Sequence, residues 1–296
     1  MRRIARWLLL SLACASLTAA AADPSAHGRR IEELMHKSGL WVQVGQFQAQ
    51  VKEGVADYRR QAQAGSGRAA LTDEEFARVV AAIGFAFAPD RLRTSVAREM
   101  AAALSVEDED AALAWLSSDL GQRITRLEEE SGASGAARRF EEESPAVLAK
   151  LSPERLDKCR RLAESARAGE AAARIVIDMS AAILYGAAVT GKLPGAELLD
   201  SLRREFEARR PQLEREYADQ AIRAYAYNYR ALSDEDLERY VAFAESPAGR
   251  RYHGASQAAL DAALTRASLE MGERLGRSAT AEKRRESRGP TPTRAA

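Results

Sequence analysis

Apolar residues recur three and four positions apart along most of the chain, and this spacing places them on one face of an α-helix. Phe47, Val51 and Val55 form one such stripe, and Ile175 and Met179 lie in another. Stripes of this kind are typical of helices that bury one side against a core. The pattern predicts an all-α protein.

Short polar motifs indicate where these helices begin. Thr72 and Glu75 stand three residues apart, the spacing of a capping box in which each side chain bonds the backbone amide of the other residue. Ser105 and Ser233 precede similar acidic first turns, and Ser246 is followed by a proline, which the first helical turn tolerates. We therefore predict a tight helical hairpin in which a helix starting after Ser233 is followed by one starting after Ser246.

Part of the sequence occurs twice. Residues 103–124 and 231–252 align without a gap at an offset of 128, which we call the repeat offset, and share nine identities in 22 positions. The repeat offset also superimposes the apolar stripes of the two halves. We predict two tandem copies of a multi-helix unit, orthogonal or bundle-like, at residues 27–132 and 151–276. A linker rich in small and acidic residues, 133–150, separates them.

The N-terminus has the three parts of a secretory signal. A basic start is followed by an apolar stretch from Trp7 to Leu17 and then by a run of alanines. We predict that residues 1–22 are a cleaved signal peptide and that the mature protein lies in the periplasm. The apolar stretch is shorter than the roughly 20 residues of a transmembrane helix. A lipoprotein attached through Cys14 is the alternative, although Ser11 stands where an aliphatic residue is usual.

The composition is that of a folded, nearly neutral protein. Hydrophobic residues make up 46% and charged residues 29% of the chain, and the low aromatic content of 6% favours helices over strands. The formal net charge is +1, and removal of the three arginines within residues 1–22 makes it −2. Such a chain lacks the positive charge that nucleic-acid binding requires. We expect no nucleic-acid partner.

The C-terminal segment differs from the rest. Residues 277–296 are basic and rich in proline, serine and threonine, so we predict a disordered tail. Its charge would allow weak contact with an anionic membrane surface.

Residues that could carry out chemistry are few. The three histidines are widely separated and have no cysteine or carboxylate at metal-ligand spacing, so we predict neither a metal site nor a cofactor. Cys159 occupies the repeat position of Ile31 and is predicted to be a buried small apolar residue. Ser246 and His253 lie seven residues apart, about two helical turns, and could share a face. An envelope hydrolase with its site near these two residues is therefore the alternative function.

Two segments favour binding over chemistry. Residues 175–189 are almost continuously apolar, which predicts a helix buried in the core or one that lines a groove. Tyr225, Tyr227 and Tyr229 are candidate partner-binding residues. Tyr225 and Tyr229 are four apart and share a helix face that could be turned towards the core, whereas Tyr227 is expected to be exposed, as suits a partner surface.

The motifs at residues 29–40, 232–237 and 242–249 resemble a bacterial exported family called domain of unknown function 2059. The likeness covers most of the mature chain twice over and is sharpest from Phe243 to Gly249. It implies a small helical envelope domain and brings no catalytic residues with it. The sequence as a whole favours a non-catalytic binding or interaction module of the bacterial envelope. Its partner would be another envelope protein or a lipid-like ligand.

Overall fold

The computed structural model describes residues 24–64, 71–132, 135–189 and 196–286. These residues form twelve α-helices and contain no β-strand. The all-α prediction is therefore confirmed for the described part of the chain. The segment predicted as a signal peptide, residues 1–22, lies outside it, and the export of the protein stays a prediction.

The helices follow one another with short connections. In what we call the first half, residues 24–132, they are α1 (Pro24–Lys37), α2 (Leu40–Gln63), α3 (Asp73–Ala86), α4 (Pro89–Ala103), α5 (Val106–Leu116) and α6 (Asp119–Ser131). Helix α7 (Ala136–Leu148) occupies most of the predicted linker. In the second half, residues 151–286, they are α8 (Pro153–Ser165), α9 (Ala168–Val189), α10 (Ala196–Asn228), α11 (Asp234–Glu245) and α12 (Pro247–Glu286).

The predicted helix starts are present. The backbone amide of Glu75 donates to the Thr72 hydroxyl at 3.2 Å, and the backbone amide of Thr72 donates to the Glu75 carboxylate at 2.9 Å. The hydroxyls of Ser105, Ser233 and Ser246 each accept from the amide three residues later, at 3.3, 3.1 and 3.0 Å. A cap of this kind contributes about 1 kcal/mol. Only Ser246 separates α11 from α12, so the predicted helical hairpin is confirmed.

Helix boundaries in the two halves correspond at the repeat offset. Helices α1 and α8 end at Lys37 and Ser165, and α2 and α9 begin at Leu40 and Ala168, so the repeat offset relates both pairs of boundaries. It also relates the first residues of α5 and α11, and those of α6 and α12. The halves differ in one connection. Pro89 begins α4 and separates it from α3, whereas α10 is continuous over the corresponding residues.

The two halves share their cores. Helix α12 packs along α9 of its own half and also contacts α3, α4 and α5 of the first half. One core contains Tyr252 and Leu264 of α12 together with Ile31 of α1. The other contains Ile124 of α6 together with Leu162 of α8. Each half thus supplies a helix, α6 or α12, to a core that belongs mainly to the other half.

Helix α12 continues past the predicted end of the second copy. It ends at Glu286, ten residues into the segment predicted to be a disordered tail. Residues 287–296 lie outside the described range, and the disorder of these last ten residues stays a prediction. No helix among the described residues has both the length and the apolar character needed to cross a membrane.

Candidate functional site

Two aromatic residues at equivalent positions mark the place where the halves meet. Trp115 near the end of α5 and Phe243 in α11 are related by the repeat offset, and their rings are stacked with centroids 4.6 Å apart and planes at 8°. Both side chains pack against both cores. A contact between equivalent residues is expected only where two related units face each other across an approximate two-fold axis.

Two ion pairs have the same reciprocal arrangement. Arg251 of the second half donates to Asp108 of the first, and Arg123 of the first half donates to Asp236 of the second. The repeat offset relates the two arginines to each other, and likewise the two aspartates. In each pair the hydrogen bond from the arginine is the main cause that lowers the pKa of the aspartate. An exchange of partners between two units is the mark of a two-fold interface.

A cavity of about 180 Å³ lies at this meeting point, and we call it the junction cavity. Its lining includes residues from both halves at equivalent positions. The equivalent pairs are Ser38 and Ala166, Trp115 and Phe243, Ile124 and Tyr252, Thr125 and His253, and Glu128 and Ser256. The junction cavity is therefore lined by equivalent positions of both halves. The chemistry of its lining differs between the halves, because a serine in the second half is equivalent to a glutamate in the first, and a histidine to a threonine.

Glu128 is the one acidic side chain among the described residues that line the junction cavity. The hydroxyls of Tyr229 and Tyr240 donate to its Oε1 atom at 2.5 and 3.1 Å, and neither tyrosine bonds Oε2. Burial raises the pKa of Glu128, and the two hydrogen bonds oppose this rise because they stabilise the ionised form. The carboxyl group is therefore held in a fixed position by two elements of the second half.

His253, one of the residues that line the junction cavity, carries an unpartnered polar atom. Its Nε2 atom is buried and has no hydrogen-bond partner among the described residues. Burial lowers the pKa of His253 to about 4, so the ring is neutral at pH 7, where it packs beside Tyr252 and Phe243. The buried Ser256 hydroxyl approaches Tyr252 without forming a hydrogen bond of normal geometry. A buried polar group without a partner costs about 1–3 kcal/mol, so a molecule in the cavity would stabilise this arrangement.

Two of the three predicted partner-binding tyrosines lie at this site. Tyr225 lines the junction cavity, and its ring stacks on that of Tyr229 with centroids 5.6 Å apart. Tyr229 is 1% exposed and reaches the site through its hydrogen bond to Glu128. The shared helix face that the sequence predicts for these residues is directed into the protein.

The expectation that Tyr227 is exposed is wrong. Its side chain is 7% exposed, because α7 covers it. The hydroxyl donates to Glu143 at 2.6 Å, the ring packs edge-on against Phe140, and the guanidinium of Arg230 lies 4.0 Å from the ring centroid. The segment predicted as a linker is thus a helix that buries the residue. Little of the ring is left for a partner to contact while α7 is in place.

Ser246 and His253 do not form a catalytic pair. The Ser246 hydroxyl donates to the carbonyl of Phe243 at 2.7 Å and accepts from the amide of Gly249 at 3.0 Å, so it is engaged as a helix cap. The His253 Nε2 atom, as described above, bonds no residue in the described part of the chain. A serine nucleophile requires a hydrogen-bonded base. The geometry gives no support to the hydrolase alternative at these residues.

Cys159 is buried, as predicted, with 1% of its surface exposed. Burial raises the pKa of its thiol to about 11, so the reactive thiolate is scarce at neutral pH. Within the described ranges, no group of three or more His, Cys, Asp or Glu side chains could hold a metal ion. The junction cavity is therefore the feature from which function can be argued.

Sequence reasoning missed Glu128 and Ser256. Glu128 is the first of three consecutive glutamates near the end of α6, a pattern typical of a solvated helix end. The repeat offset pairs it with Ser256. This pairing could have indicated the site, because equivalent residues come near each other when they lie close to a two-fold axis. The position of that axis depends on tertiary packing, which the sequence pattern did not reveal.

Comparison with known proteins identifies no relative of the chain. No model of a known family matches it, nor does any curated protein or solved structure. The resemblance to domain of unknown function 2059 therefore stays a prediction.

Proposed function

We propose that the protein is a non-catalytic binding protein of the bacterial envelope, in which two tandem copies of one helical unit bind a small molecule between them. The observation that carries this proposal is the junction cavity, whose lining includes His253, a residue with an unpartnered Nε2 atom. Native proteins rarely bury a polar atom without a partner, and exceptions call for an explanation such as a bound molecule. A ligand that bonds His253 is our explanation.

The tandem copies are supported by three kinds of correspondence at one offset. Residues 103–124 and 231–252 share nine identities, equivalent helices begin or end at positions related by the repeat offset, and the ion pairs exchange partners between the halves. Two copies of one unit that pair as a symmetric dimer does would give this arrangement. The site then lies at the interface of the copies, in the same way that dimer sites often lie on a two-fold axis.

Binding is favoured over catalysis because the polar groups of the cavity are not arranged as a nucleophile and a base. Glu128 accepts from two tyrosine hydroxyls, and Ser246 is engaged as a cap. The size of the cavity favours a small molecule over a lipid-like ligand or a partner protein, because about 180 Å³ does not accommodate a lipid chain. The envelope location rests on the signal-peptide pattern of residues 1–22.

A cavity-filling substitution tests the proposal. Ser256→Leu places an apolar side chain in the lining of the junction cavity, and Ala258→Leu adds a larger side chain at an exposed position of the same helix as a control. Protein isolated from the cell envelope is examined by mass spectrometry under non-denaturing conditions. We expect a bound small molecule in the wild type and in the Ala258→Leu variant, and its loss from the Ser256→Leu variant.

Circular dichroism must show that both variants keep the helical content of the wild type. The proposal fails if the wild type carries no small molecule. It also fails if a folded Ser256→Leu variant carries the molecule to the same extent as the wild type, because the site would then lie elsewhere.

A further inference from the structure

The charge of the junction cavity narrows the class of ligand. Glu128, when ionised, is the only side chain with a full charge among the described lining residues at pH 7, and these include neither lysine nor arginine. His253 is neutral at pH 7 because burial lowers its pKa to about 4. An anionic ligand would therefore meet a carboxylate and no compensating positive charge. A cationic ligand would meet a fixed, partly buried carboxylate, where an ion pair is stronger than in bulk solvent.

The walls of the cavity favour a cation for a second, independent reason. Five aromatic side chains contribute to the lining. They are Trp115, Tyr225, Tyr240, Phe243 and Tyr252. The face of an aromatic ring carries negative charge density and attracts organic cations, most strongly where water is excluded. A carboxylate surrounded by aromatic rings is an arrangement that suits an ammonium group attached to an apolar body.

The hydrogen bonds that are left to a ligand call for a donor. The Oε1 atom of Glu128 already accepts from two tyrosines, and its Oε2 atom is bonded by neither of them. The neutral imidazole of His253 can accept a hydrogen bond at Nε2 when its other ring nitrogen carries the proton. A ligand N–H group would satisfy both acceptors.

We propose that the junction cavity binds a small organic cation whose ammonium group pairs with Glu128 and whose apolar part lies against the aromatic rings. This inference rests on the proposed function and specifies the class of its ligand. A cavity of about 180 Å³ accommodates a compact aliphatic or hydroxylated amine. No covalent step is involved, and binding requires the ionised form of Glu128.

Calorimetric titration with three probes of equal length tests the ligand class. The probes are n-butylammonium, 1-butanol and butyrate, which differ in charge at one end. Each probe is titrated into the full-length mature protein at the same ionic strength. Potassium chloride serves as the inorganic cation. We expect saturable binding of n-butylammonium with a dissociation constant of about 1 mM or tighter, weaker binding of butanol, and no binding of butyrate or potassium.

Two isosteric variants then locate the charge that is recognised. Glu128→Gln keeps the shape and an acceptor oxygen but removes the charge, and Glu130→Gln removes a charge from an exposed position two residues away. We expect Glu128→Gln to weaken n-butylammonium binding about tenfold to a hundredfold, the usual effect of losing a hydrogen bond to a charged group. Glu130→Gln should leave it within about twofold.

The cation class is overturned if butanol binds as tightly as n-butylammonium, or if Glu128→Gln binds the cation as the wild type does. It is also overturned if no probe binds. None of these results contradicts the proposed function if mass spectrometry finds a molecule that is bound to the wild type and absent from the Ser256→Leu variant. Failure of that experiment, in contrast, removes both proposals.

Discussion

The indole ring of Trp115 stacks on the phenyl ring of Phe243, its equivalent at the repeat offset, with centroids 4.6 Å apart. The same offset relates the two arginines and the two aspartates of the ion pairs Arg123–Asp236 and Arg251–Asp108. The two halves therefore meet through residues at equivalent positions. The cavity beside the stack is consequently lined by both halves of the chain.

The stacked pair should be energetically coupled. We expect Trp115→Ala and Phe243→Ala each to lower the free energy of unfolding by about 2–4 kcal/mol, because large side chains that contact both cores are removed. The double variant should lose about 0.5–1.5 kcal/mol less than the sum of the single losses, because either substitution already removes the stack. Urea unfolding measures all three.

Phe85 provides the control for this cycle. It is 42% exposed, and the two arginines that lie over its ring are Arg91 and Arg274. The effects of Phe85→Ala and Phe243→Ala should add within about 0.5 kcal/mol. If the losses in the free energy of unfolding caused by Trp115→Ala and Phe243→Ala also add, the stack does not hold the halves together.

Two equivalent glycines should not tolerate a methyl group. A Cβ atom on Gly121 would lie 2.2 Å from the carbonyl oxygen of Trp115, and one on Gly249 would lie 2.0 Å from that of Phe243. Both neighbours are backbone atoms at the turns between paired helices, so they cannot move aside without displacing a turn. We expect Gly121→Ala and Gly249→Ala each to lower the free energy of unfolding by about 1–3 kcal/mol.

Gly254 is the matched control for Gly249 because both residues lie in α12. No atom lies within 4 Å of a Cβ built on Gly254. Alanine should therefore raise helix stability there by up to about 1 kcal/mol, as it does at an unhindered helix position. Equal effects of Gly249→Ala and Gly254→Ala on thermal unfolding would contradict the close approach at the turn.

The pH dependence of stability should report the burial of Glu128. Because its pKa is raised in the folded protein, the folded state favours the protonated form, and stability is lost as the pH rises through the folded-state pKa. The titratable side chains that face it are Tyr225, Tyr229, Tyr240, Tyr252, His253 and Glu129. Of these, the tyrosines stay protonated up to high pH, since burial raises their pKa values, and His253 is neutral above about pH 5.

Glu128→Gln imitates the protonated form and should therefore remove this loss. We expect the variant to match the wild type in thermal stability near pH 4 and to exceed it increasingly towards pH 8 in the absence of ligand. Glu130→Gln should follow the wild type across the range. A Glu128→Gln variant that is less stable than the wild type at pH 8 would show that the ionised carboxylate is favoured in the folded state.

The ion pairs should respond to pH in the opposite direction. The arginine partners lower the pKa values of Asp108 and Asp236, so these pairs stabilise the protein above the unfolded-state aspartate pKa of about 3.9, and the stabilisation is lost as the pH falls below it. Asp108→Asn should be less stable than the wild type at pH 7, and the difference should shrink as the pH falls below the unfolded-state pKa. A difference that is constant with pH would show that it does not arise from the charge.

Local features of the fold could be predicted from the sequence, because their causes lie within a few residues. The caps at Thr72, Ser105 and Ser233 depend on side chains three positions away, and the hairpin at Ser246 depends on the proline that follows it. The buried state of Cys159 followed from its repeat position. Each of these predictions uses only the helical spacing or the repeat.

Features that depend on distant parts of the chain could not be predicted. Tyr227 is buried by α7, a helix that the composition of residues 133–150 did not indicate. Glu128 meets its tyrosine partners only because α6 packs into the core of the second half. The candidate site consists almost entirely of contacts between residues that are distant in the sequence. For this reason the sequence indicated Tyr225 and Tyr229 but not the cavity beside them.

Fluorescence of Trp115 tests most directly whether the ligand binds between the two halves, because this residue lines the junction cavity. In a Trp41→Phe protein that begins at residue 23, Trp115 is the only tryptophan. The small-molecule fraction released by heat from wild-type protein is added to this variant, and to the same variant carrying Ser256→Leu or Ala258→Leu. We predict a saturable change in emission that Ser256→Leu abolishes and Ala258→Leu retains. An emission that does not change, or that changes equally in the Ser256→Leu protein, would contradict a site in the junction cavity.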